Sequence, residues 1–285
     1  MRREGFCPAT HPLTKESFFM SARTARLSLA LLFATPLVVA PLGAQGVEYS
    51  AGTNKYRVTT TTKGTQTTPA GAASFEVSIK EQVTVNVMRH TKDTVMATMV
   101  LDSLALTSSS GPLPDASKLI GAKWVSLISP TGKFYTTQAP AGADPQLAQV
   151  MDGVAHFLPS FRGNLAAGNA WSDTTTGKVS QQGMEVDRTS IANFKVLGDT
   201  VIAGQKAMRI ERVTNVKAGG MGNMQGTPVT METTGRSNGM FFVTPMGVYL
   251  GMSSTDDVNV KITIVSQGAE VNIKQLVQNK VEAIK

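Results

Sequence analysis

The sequence predicts a mainly β protein: a large curved antiparallel sheet, a half-barrel or barrel-like meander, with one amphipathic helix packed on its concave face. Three observations carry this. Residues Ser74 to Met88 alternate between apolar and polar side chains. Turn signals built from Gly, Pro, Asn and Asp recur at short intervals through most of the remaining chain. One stretch, Asp144 to Leu158, spaces its apolar residues for a helix.

In the alternating stretch, Phe75, Val77, Ile79, Val83, Val85 and Val87 fall on odd positions, and polar residues fill the even ones. Strands place alternate residues on opposite faces, so this is one apolar and one polar row. Glu81 is the single interruption of the apolar row. A helix would scatter these six side chains around its circumference. The stretch is about twice the usual strand length of roughly 5–6 residues, as in a large sheet that covers a core or cavity.

Upstream, Lys55 to Thr68 reads as a first strand with a solvated, Thr-rich outer face. Thr94 to Thr107 is the partner strand, with Val95, Met99 and Leu101 on one face and Val100, Leu104 and Leu106 on the other. A loop at 108–115 precedes a hairpin, Lys123 to Ser129 and Lys133 to Thr137, turned at Pro130-Thr131-Gly132. The helix is capped by Asp144, carries Pro145 at its first position, and ends at Pro159. Leu147, Val150, Met151, Val154 and Leu158 form its stripe, which must dock on the sheet because a helix this short is marginal alone in water. Further strands are expected at 171–180, 184–196, 206–216, 229–236, 241–244, 248–253, 258–266 and 271–281. The Gly-rich 218–228 segment reads as a flexible loop, and Asp256-Asp257 as a turn.

Residues 1–44 read as a leader, with Met20 the start of a signal peptide. Arg23 and Arg26 supply a basic region, Leu27 to Ala40 the apolar core, and Pro41-Leu42-Gly43-Ala44 the cleavage segment. The apolar run falls short of the roughly 20 residues of a spanning helix, so no transmembrane segment is expected in the mature protein. Residues 45–285 form a single β-rich domain. Removing the leader lowers the net charge from +7 to +4 and takes away the single cysteine, Cys7. A periplasmic or secreted protein without cysteine must hold itself together by burial. The remaining basic residues are scattered, which argues against nucleic acid as a partner.

Little here reads as catalysis. The mature chain has two histidines, His90 and His156, and lacks the common hydrolase and phosphate-loop motifs. No cofactor and no metal site is expected. Trp124, Phe134, Tyr135, Phe157, Phe161 and Trp171 gather around the helix and its neighbouring hairpins. They form either ordinary core or the mouth of an apolar cavity.

Downstream of the helix, Gly168-Asn169-Ala170-Trp171, Ile202-Ala203-Gly204-Gln205-Lys206-Ala207 and Gly239-Met240-Phe241-Phe242 before Pro245-Met246-Gly247 form a series of hairpin signatures. This pattern resembles a family of exported bacterial β-rich proteins of unknown function. Long curved strands with one tucked helix are also similar to the half-barrel of periplasmic lipoprotein carriers, a resemblance that implies binding of acyl chains. The resulting expectation is a non-enzymatic cell-envelope protein with a lipid or other apolar ligand. Its ligand would contact Phe75, Val77, Val83, Val85, Met99, Val150, Met151, Val154, Phe157 and Trp171. The alternative is a structural protein with a filled core that pairs with an envelope partner. On the leader reading, the intact mass of the exported protein begins at Gln45; a membrane-bound form retaining 27–40 would refute it.

Overall fold

The first and last strands of the sheet lie side by side, and every other feature of the topology follows from that pairing. The structure is a computed structural model that describes residues 46–111, 115–138, 140, 153–154, 156–181, 184–224 and 227–284. Its strands are β1 (Gly52–Thr68), β2 (Gly71–Arg89), β3 (Val95–Ser108), β4 (Lys123–Ile128), β5 (Phe134–Gln138) and β6 (Ala170–Gln181). They continue as β7 (Met184–Ile202), β8 (Gln205–Met224), β9 (Thr227–Val243), β10 (Tyr249–Ile264) and β11 (Ala269–Ile284). All join one antiparallel sheet in the order β5-β4-β3-β2-β1-β11-β10-β9-β8-β7-β6. The β1–β11 ladder runs from Lys55 opposite Ile284 to Thr67 opposite Asn272. The sheet is therefore open, with β5 and β6, consecutive in sequence, on its two outer edges.

The strand reading of the sequence holds, with four corrections, the first being that the strands expected at 229–236 and 241–244 are one continuous strand, β9. Leu104 and Leu106 do not lie on the face away from Leu101. The β2–β3 register shifts between Gln82 and Val83, so Asp102 is looped out and the phase of β3 changes by one residue. Leu101 and Leu104 then share the inner face. The Gly-rich 218–224 segment is strand, paired with β7 and β9. A Cβ at Gly220 would collide with the Glu185 carbonyl, so the absence of a side chain lets the two backbones close together. Asp256-Asp257 is not a turn but the middle of β10, with Asp256 hydrogen-bonded into the sheet by Ser237 and Asn279.

The helix expected over 144–158 lies mostly outside the described residues, and Val150 and Met151 with it. Its final residues are described, and Val154 and Phe157 are buried. No complete α-helix packs on the sheet among the described residues, where the one complete helical element is a 3-10 turn, Ser117–Leu119.

One half of the inner face is sealed. Tyr56, Val83, Val85, Met99, Leu101, Trp124, Ile210, Phe241 and Val243 are fully buried there. Over them lie Tyr49, Leu119, Val154, Phe157, Phe161 and Leu165, from segments between or ahead of the strands. These covering segments also hold one another. The Tyr49 hydroxyl donates to the Pro159 carbonyl at 2.6 Å, Phe161 N–H to Thr131 at 2.9 Å, and Val47 N–H to Gly163 at 2.6 Å. Gly247 has φ +79, and a Cβ there would overlap the Glu48 carbonyl, so the β9–β10 turn presses directly against residues 48–50.

The β7–β8 hairpin turns on Ala203 and Gly204, with φ of 49° and 78°. Two positive φ values are what a tight right-twisted hairpin requires, and alanine pays a steric penalty there that glycine does not. Ala203→Gly should therefore stabilise the fold by up to about 1 kcal/mol. A urea midpoint that moves down instead would refute the strain.

Candidate functional site

The inner face changes character along the strands. Beyond the sealed core comes a polar belt, and beyond the belt a second apolar patch. In the belt, the Thr60 hydroxyl donates to Asn279 Oδ1 at 2.8 Å. Asn279 Nδ2 donates to Ser254 Oγ at 3.2 Å and to Asp256 Oδ2 at 3.0 Å. Ser237 Oγ donates to Asp256 Oδ1 at 2.5 Å. This chain of hydrogen bonds crosses β1, β11, β10 and β9, so both oxygens of Asp256 are engaged inside the sheet. Arg212 on β8 belongs to the same belt, opposite Phe194 on β7 and Gly239 on β9.

The second patch contains buried Val186, Val229 and Met231, with half-buried Ala218, Val260, Ile262 and Ile264 packed around them. Every one of these residues comes from the sheet itself. In the sealed half, by contrast, residues from outside the strands supply the cover. Val186 and Met231 flank Gly220, each directly opposite it on a neighbouring strand.

A third open region is a groove of about 500 Å³ where β3 outruns β4. Leu104, Leu106 and Ser108 form one wall, and Ala116, Ser117 and Ile120 another. Leu106 stands opposite Ile79 and Ser108 opposite Val77.

Glu81 remains in the apolar row, as the alternation requires, and is only 8% exposed. It stands between Val58 on β1 and Leu104 on β3. Burial disfavours its charged form and pushes its pKa from 4.5 up to about 7. Burial likewise raises the phenols of Tyr49, Tyr56 and Tyr249. At Tyr249 the charge of Arg212 works in the opposite direction. The Tyr56 hydroxyl donates to the Tyr249 carbonyl at 2.9 Å, whereas the Tyr249 hydroxyl is buried with no hydrogen-bond partner.

The residues singled out from sequence separate into groups. Val83, Val85, Met99, Val154 and Phe157 come together in the sealed core, where the Phe157 and Tyr56 rings lie 5.0 Å apart. Phe75 is half-buried and reaches across Gly64. Val77 is half-buried beside the groove. Trp171 is half-buried, stacked on Phe194 at 4.9 Å with an interplanar angle of 8°. Of the aromatic set, Trp124 and Phe161 are buried and Tyr135 is exposed. His156 packs on Phe134 with ring centroids 4.4 Å apart. Sequence reasoning missed Arg212 and the belt. The signal was present: Met208, Ile210, Thr214 and Val216 share alternate positions with a single charge, Arg212.

No protein-family profile and no curated protein matches the chain. Among solved structures, it is similar to a domain described as an outer membrane lipoprotein-sorting protein from Vibrio parahaemolyticus, at 10% identity and a TM-score of 0.18, covering 77% of this chain and 83% of that one. It is also similar to a DUF1329 family protein from Desulfovibrio piger, at 6% identity and a TM-score of 0.19, over 77% and 83% of the two chains. An outer membrane channel from Pseudomonas putida matches at 9% identity and a TM-score of 0.22, over 86% of this chain and all of that one. At these scores the likenesses carry no argument about site or activity. No helix among the described residues is long and apolar enough to cross a membrane.

The raised pKa of Glu81 makes stability depend on pH. Between its ordinary value of 4.5 and about 7 the folded state holds a proton that the unfolded chain has released. The contribution of Glu81 to stability is thus fully present below pH 4.5, falls as pH rises through that window, and levels off above 7. At roughly 1.4 kcal/mol per pH unit of pKa difference, the loss is on the order of 3 kcal/mol. Glu81→Gln should flatten this part of the stability–pH curve and be more stable than wild type at pH 8. Parallel curves for the two proteins would show that Glu81 does not titrate as described.

Proposed function

We propose that this is an exported, non-catalytic cell-envelope protein that holds an acyl chain or similar amphiphile against the inner face of its sheet. The observation that carries the reading is the division of that face. Its near half is closed by segments from outside the strands; its far half is apolar, with Val186, Val229 and Met231 buried and Val260, Ile262 and Ile264 half-buried, and among the described residues it is built from the sheet alone. Burying such a surface under an alkyl chain gains about 25 cal/mol per Å², with little discrimination between chains. The polar belt beside it gives the face the two-part character of an amphiphile. Export rests on the leader at 20–44, and the absence of cysteine from 45–285 fits an envelope protein that depends on burial.

A second reading is an interaction protein of the envelope. The observation favouring it is β6, an edge strand of 12 residues that, among the described residues, pairs only with β7. An unpaired edge of this length offers main-chain groups to a partner strand.

Uptake of a fluorescent alkyl probe by the purified protein separates the two. The amphiphile reading expects saturable binding that weakens several-fold in Ile262→Asp, since a charge would enter the apolar patch. Val201→Asp, at an exposed hairpin end, should bind like wild type. A folded protein that takes up no probe leaves the interaction reading.

A further inference from the structure

Charge on the six central strands is sorted by face. Between the hairpin tips, the inward positions of β8, β9, β10, β11, β1 and β2 carry one cation, Arg212, while the lysines of these strands alternate to the outer face. Arg212 is half-buried and makes no hydrogen bond or ion pair with any described residue. The carboxylates of its own face are otherwise placed. Asp256 is engaged by Ser237 and Asn279, Asp173 pairs with Arg162 at 3.6 Å, and Glu81 lies in the apolar row of β2. A partly desolvated guanidinium without a partner is costly to the fold and is well suited to a carboxylate or phosphate.

Its surroundings favour a bound anion. Gly239, its neighbour on β9, presents no side chain. Ser254 and Asn279 continue the same row with hydroxyl and amide groups. The buried Tyr249 hydroxyl has a proton with no acceptor and lies close enough to Arg212 to feel its charge. From Arg212 the inner row of β8 continues through Thr214, Val216 and Ala218 to Gly220, eight residues on. At 3.2–3.4 Å per residue that is about 26 Å; Gly235, Thr233 and Met231 of β9 lie directly beside it, and Val258, Val260 and Ile262 of β10 continue the same rows one strand further on.

We infer that the inner face selects an anionic amphiphile, with Arg212 holding its carboxylate or phosphate in the polar belt and the alkyl chain running over Val216, Val260 and Ile262. This rests on the amphiphile reading above and adds the charge and placement of the head group.

The test is competition of dodecanoate, dodecyl phosphate and dodecanol for the fluorescent alkyl probe, with wild type, Arg212→Gln and Arg212→Lys, each confirmed folded by circular dichroism. Wild type should bind at least one of the two anions roughly tenfold more tightly than dodecanol, the scale of one charge-assisted hydrogen bond. The preferred anion identifies the source, a fatty acid or a phosphate head group. Arg212→Gln should lose that preference while keeping its affinity for dodecanol, and Arg212→Lys should retain most of it. Equal binding of all three compounds by wild type, or an unchanged preference in Arg212→Gln, overturns the inference and leaves chain binding standing. Failure of the folded protein to bind any of the three overturns both.

Discussion

The antiparallel ladder between β1 and β11 is the contact on which the rest of the molecule depends. Without it the chain is two separate meanders, β1 to β5 and β6 to β11, each with an additional open edge. With it, the ends of the described sheet meet at its centre and both outer edges fall in the middle of the chain. The connection from β5 to β6 must then travel from one side of the sheet to the other. Its described part does so over the inner face, which is why Phe157, Phe161 and Leu165 are available as cover. Sealing the core and joining the meanders are consequences of one register.

Among the described residues the cover extends over only part of the strands. The inner rows are continuous, but residues 46–50, the 3-10 turn and the stretch around Phe157 to Leu165 all gather at one end. The polar belt marks the change. Four strands contribute to its hydrogen-bonded chain, so its groups are satisfied within the sheet and need no cover. Arg212 is the exception, which gives one half-buried position beside the belt an electrostatic preference.

Much of this was legible in the residues. Period-two alternation located the long strands, and Gly-containing turns located most of the hairpins. Where the reading failed, local signals competed with pairing. Gly219, Gly220 and Gly222 signal flexibility, yet neighbouring backbones on both sides hold them extended. Asp256-Asp257 signals a turn, yet the inward carboxylate of Asp256 accepts hydrogen bonds from Ser237 and Asn279 on the two neighbouring strands. The bulge at Asp102 has no marker in single-strand periodicity, because it arises from a mismatch with β2. The candidate site was legible in part: the apolar rows were visible, but which of them remain uncovered depends on where distant segments fold back. Arg212 stood out only once both neighbouring strands placed its row on the inner face.

The register of β1 on β11 also has a kinetic meaning. It joins residues separated by most of the chain, whereas every other strand pair is a sequence neighbour. Closing so long a loop is entropically costly and comes before its reward, so this ladder sets much of the fold's contact order. A chain reopened between β5 and β6, with its present ends linked, would become a meander of nearest neighbours throughout. The same sheet would then form from local contacts alone, which makes the position of the chain ends a determinant of folding speed rather than of architecture.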